Sequence, residues 1–85
     1  MTTIKWEVTN TESGETKSWE TEVAKVKAGH RQLREIVKEE MKSFPEFKEN
    51  IVIIVESEDK ETESTYQAKA DSYKEKLLSG AIKIN

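Results

Sequence analysis

The stretch Ile51-Val52-Ile53-Ile54-Val55 decides how this chain folds. These are five consecutive β-branched residues in a sequence only 34% hydrophobic. Their side chains are stiff at χ1 and fit a pleated surface. The run is too short to span a membrane and a poor match for a buried helix, which predicts an interior strand of a sheet. Lys48 and Glu49 before it and Glu56 and Glu58 after it oppose the aggregation that a bare aliphatic segment invites.

Upstream of that strand the apolar period is 3.6, and Leu33, Ile36, Val37, Met41 and Phe44 form one stripe with His30 at its margin. A helix from about residue 27 is expected, stopped by Pro45, which cannot donate a backbone hydrogen bond. Residues 19, 23, 26, 30, 33, 37 and 44 also fit one stripe, so a start near Thr21 is the alternative. Gly29 costs about 1 kcal/mol relative to Ala inside a helix, which favours the later start.

Nearer the N-terminus the period is two. Ile4, Trp6 and Val8 alternate with Lys5, Glu7 and Thr9, and Trp19, Thr21 and Val23 alternate with Ser18, Glu20 and Glu22. Residues 10–16 between them are turn formers around Gly14, so a hairpin is expected. If it closes symmetrically about Glu12 and Ser13, Trp6 faces Trp19, an aromatic pair contributing about 0.2–1 kcal/mol.

Downstream, Ser57 to Glu63 reads as an acidic loop, and Ser64 with Gln67 has capping-box spacing. Tyr66, Ala70, Tyr73 and Leu77 then draw a helical stripe ending at Gly80, placed as a C′ residue. Residues 81–85 alternate again, a short final strand with Ile82 and Ile84 inward. The expectation is one α+β domain over 1–85, in the order β-β-α-β-α-β. It is a two-layer sandwich with a four-stranded mixed sheet and both helices on one face. The last strand would join its predecessor by a right-handed parallel crossover.

A chain of 85 residues buries roughly 60–65% of its unfolded surface and leaves little room for a deep cleft. Its formal charge of −3 with 36% charged residues favours solubility and argues against a general nucleic-acid binder. It has no Cys, hence no disulfide, thiol nucleophile or thiolate metal site. The N-terminus has neither a basic start nor an apolar stretch of signal-peptide length, and no later segment approaches a membrane span, so a cytoplasmic location is expected. There is no Gly-rich phosphate loop, metal motif or nucleophile elbow, so no catalytic, cofactor or metal residue is assigned and no enzyme is expected. His30, the single histidine, cannot build a transition-metal site alone.

Two surfaces are candidates for binding a partner. Lys27, Arg31, Arg34, Lys38 and Lys42 fall within an arc of about 80° on the first helix and make a basic ridge. Val52 and Ile54 point away from the helices, among Lys5, Glu7, Glu20, Glu22 and Lys83, where a second copy or another protein would dock. The acidic segment 56–63 is first of all a solvated loop, with a basic partner surface as its functional reading. The expected function is a small non-catalytic protein-binding module, an inhibitor or adaptor of the type common among phages and mobile elements. A nucleic-acid accessory protein using the ridge and a structural homodimer using the sheet face are the alternatives.

Overall fold

The computed structural model describes residues 2–81. Three strands, β1 (Thr3–Asn10), β2 (Thr16–Glu22) and β3 (Ile51–Ser57), form one sheet in the order β2-β1-β3, with both pairings antiparallel. Two helices, α1 (Val26–Ser43) and α2 (Lys60–Ser79), cover one face. The fold is α+β, as the sequence pattern implies. One detail differs. The aliphatic run, expected in the interior, pairs among the described residues with β1 alone, and β1 is the strand with a neighbour on each side. Both pairings among the described residues are antiparallel; the expected parallel final strand with Ile82 and Ile84, which would make the sheet mixed, lies outside the described residues.

The hairpin closes as its pattern requires, with Trp6 opposite Trp19. The two indoles stack at 6.0 Å with 4° between their planes. Asn10 organises the turn: its buried side-chain oxygen accepts from the Glu12 and Ser13 amides, and its carbonyl accepts from the Gly14 amide. Gly14 takes a positive φ of 76°, which a side chain would strain.

One core joins the layers. Ile4, Trp6 and Val8 of β1 share a face with Ile51, Ile53 and Val55 of β3, and onto it pack Leu33 and Val37 of α1 and Ala70 and Leu77 of α2. Phe47 completes the core from a 3₁₀ turn, Pro45–Glu49, that follows the break at Pro45. Completely burying a side chain of this size contributes about 1.5–3 kcal/mol.

The helices begin earlier or pack more tightly than periodicity indicates. A 3₁₀ turn, Val23–Lys25, leads into α1, and the α-helix proper starts one residue before the expected 27. Gly29 is buried inside it for a packing reason: a Cβ there would sit 3.0 Å from Thr21 Oγ1 and 3.3 Å from Trp6 Nε1. Helix α2 starts at Lys60 rather than Ser64. Asp59 is the N-cap, accepting from the Glu61 amide at 3.3 Å and the Thr62 hydroxyl at 2.7 Å. The expected acidic loop is therefore largely the first turn of a helix, where carboxylates oppose the positive end of the helix dipole. At the far end Gly80, with φ 79°, is the left-handed cap its sequence position indicates.

Candidate functional site

The uncovered face of the sheet is built from the alternate residues of each strand. Register sets them in rows: Glu20, Lys5 and Glu56; then Ser18, Glu7 and Ile54; then Thr16, Thr9 and Val52. Lys5 thus lies between two carboxylates, and Thr9 and Thr16 share a hydroxyl hydrogen bond of 3.1 Å. Ile54 is 40% exposed and Val52 is half-buried, both along the β3 side of this face. The sequence-derived placement of these two residues opposite the helices is what the strand register gives. Lys83 lies outside the described residues.

Helix α1 separates its charges onto two flanks. Lys27, Arg31, Arg34 and Lys42 are exposed and Lys38 is half-buried, all on one flank of the helix by their spacing, with Arg34 near enough to α2 to act on Tyr73. Here α2 contributes Lys69 and Lys76. Together with His30, Ser72 and Tyr73 these line a cavity of about 230 Å³ between the helices. Burial, and after it the Lys69 charge, holds the His30 imidazole below its ordinary value. Burial pushes the Tyr73 phenol up, against a smaller opposing pull from Arg34. His30 Nε2 and Tyr73 OH are both buried without a hydrogen-bond partner among the described residues. The Trp6 ring meets His30 edge-on at 5.5 Å, so the imidazole is held between the hairpin and this cleft.

The opposite flank of α1 is acidic and overhangs β2. Lys17 ties the two elements, reaching Glu40 at 3.6 Å as well as its strand neighbour Glu15 at 3.0 Å. Glu35, Ile36 and Glu39 of α1 line a cavity beside Lys17, and Ala28 lines another beside Glu20 and Glu22. Ile36 was expected in the core stripe but is half-buried here, beside the carboxylates.

Helix α2 treats the edge of β3 differently. The carboxamide of Gln67 accepts from the Val55 amide at 2.8 Å and donates to the Ile53 carbonyl at 2.9 Å. Those are the two groups that a single residue of a parallel neighbouring strand would use. Glu63 accepts from the Ser57 amide at 3.1 Å; this bond, and then Lys60 at 3.4 Å, holds its carboxyl below the usual carboxylate range. Gln67 is the residue whose role periodicity missed: its spacing from Ser64 suggested a cap, whereas its amide substitutes for a strand.

No group of three or more His, Asp and Glu side chains among the described residues is arranged to hold a metal ion. No helix among them is long and apolar enough to cross a membrane. Comparison with protein-family models, with curated proteins and with solved structures finds no match.

Proposed function

We propose that this chain is a small non-catalytic protein-binding module of the cytoplasm, docking a partner on the uncovered sheet face around Val52 and Ile54. The observation that carries the reading is the 40% exposure of Ile54 beside half-buried Val52, on a face whose other residues are polar or charged. An apolar spot with a polar surround resembles the centre of a protein–protein contact. Lys5, set between Glu20 and Glu56, gives the surround both signs of charge and so a register for a partner.

Affinity capture from the native host lysate tests this. The wild-type chain is expected to retain a partner that Ile54→Lys loses and Arg31→Glu keeps. Equal capture by the wild-type and Ile54→Lys proteins would reject the sheet face. A mass that rises with concentration and reverts in Ile54→Lys would instead assign the face to a second copy.

A second reading rests on the ridge, because Lys69 and Lys76 of α2 extend the cations of Lys27, Arg31, Arg34, Lys38 and Lys42 across the interhelical cleft. As a phosphate-contacting surface it would serve a nucleic-acid accessory protein. Binding to generic DNA or RNA would then fall steeply with salt and be lost in Arg31→Glu/Arg34→Glu, and no binding even at about 50 mM salt would remove this reading.

A further inference from the structure

We propose that the slot between the outer edge of β2 and the acidic flank of α1 accepts an extended segment of another protein, alternating basic and aliphatic residues, as an added strand. This surface shares Glu20 with the sheet face around Ile54, and Glu35→Lys/Glu39→Lys here against Ile54→Lys there tests the two apart.

The backbone provides the first argument. Strand β2 has β1 as its only neighbouring strand among the described residues. The bonds from the Asn10 amide to the Glu15 carbonyl and from the Val23 amide to the Thr2 carbonyl fix the phase of the ladder. Lys17, Trp19 and Thr21 are therefore the residues bonded to β1, and the N–H and C=O groups of Ser18 and Glu20 point outward. An incoming strand can bond to these groups, the mode by which exposed sheet edges take up peptides.

Shape is the second. Two adjoining cavities of about 410 and 390 Å³ share Gln32 and run along this edge beneath α1. The helix lies antiparallel over β2, with Gly29 against Thr21 near one end and Glu40 against Lys17 near the other. From Lys17 to Glu22 the strand is about 17 Å long, room for about five residues of a bound chain. Ala28 and Ile36 give the helical wall its apolar points.

Charge decides the occupant. The slot has five carboxylates, Glu20, Glu22, Glu35, Glu39 and Glu40, against Lys25 and Lys17, and Lys17 already serves Glu15 and Glu40. A cationic segment is attracted and an acidic one repelled. A second copy pairing edge to edge would bring its own Glu20 and Glu22 to these carboxylates, which favours a basic partner over self-association. Alternation follows from the pleat: one set of side chains faces Ala28 and Ile36, the other Glu20 and Glu22.

The test uses the whole chain and a heptapeptide alternating lysine and valine, followed by amide NMR at about 20 mM salt, where surface charge is little screened. Saturable shifts at Ser18 and Glu20 are expected, with slowed exchange of their amides. Affinity should drop about tenfold on raising salt to about 200 mM, and again in Glu35→Lys/Glu39→Lys. A lysine–valine peptide N-methylated at every backbone amide keeps its side-chain charge but has no N–H to donate along either edge, and should not protect these amides. No saturable response at about 1 mM peptide, a concentration at which even a bond worth about 4 kcal/mol half-saturates, would overturn the proposal. So would equal binding of a glutamate–valine peptide, equal binding of the N-methylated peptide, or shifts at Ser18 and Glu20 that depend on protein concentration alone.

Discussion

The β3 edge and the β2 edge meet the same problem, outward backbone groups with no further strand among the described residues, and answer it in different ways. At β3, side chains of α2 take those groups directly: Gln67 holds Val55 and Ile53, and Glu63 holds Ser57. At β2, α1 overhangs the edge and ties down only a side chain, through Lys17 and Glu40. A helix following a strand can thus seal its edge or merely roof it. The difference rests on whether a side chain of suitable length and chemistry, such as Gln67, falls on the turn facing the strand.

Replacing Trp6 should erase the comparison altogether. Its ring stacks on Trp19 of β2, and its strand partner on the other side is Val55 of β3, so it sits between the two edges. Trp6→Ala is expected to cost about 3–5 kcal/mol in urea unfolding. A loss below about 1 kcal/mol would mean that the edges are held independently of the middle strand.

A narrower change should open one edge only. Gln67→Leu leaves the Val55 amide and Ile53 carbonyl without their partner, for an expected cost of about 1–3 kcal/mol. Hydrogen exchange should accelerate at Val55 and stay unchanged at Trp19, whose amide is bonded to β1. Acceleration at both would show that the two edges open as a unit.

The smallest effect is a pH dependence confined to β3. The Glu63 carboxyl is held low chiefly by the Ser57 amide and then by Lys60. Its folded-state value being depressed, its contribution is complete above the ordinary glutamate value and disappears as the pH falls through the depressed one. The Ser57 amide resonance should therefore move on acidification with a midpoint below that of a free glutamate. Glu63→Gln should flatten the curve, and Ser18 should show no such step.

The hairpin and its register were legible because a period of two, a symmetric turn and a Trp pair all point to it, and β3 was legible because Ile51 to Val55 admits little but a strand; the register of β3 on β1 was not. Neither was strand order. Which strand occupies the middle depends on where the chain crosses after α1, and no local pattern in β1 distinguishes a central strand from an edge one. The start of α2 was hidden by its composition: Lys60, Glu61, Thr62 and Glu63 look like a solvated loop until Asp59 is seen to cap them. Gly29 reads as a helix weakness by propensity, and only the closeness of Thr21 and Trp6 explains it. Of the candidate surfaces, Val52 and Ile54 follow from alternation alone, and the basic ridge follows from helical spacing. The slot along β2 requires two elements distant in sequence to be brought together.

The middle position of β1 has a consequence for how the molecule assembles. This strand is synthesised before the partner for its second side, residues 51–57, some forty residues later. A lone hairpin is marginal in water, so β1 and β2 hold together only weakly until that segment arrives. Completion of the sheet therefore waits on a distant contact, and during translation the inner face of the first hairpin, Trp6 included, has α1 as its earliest shelter.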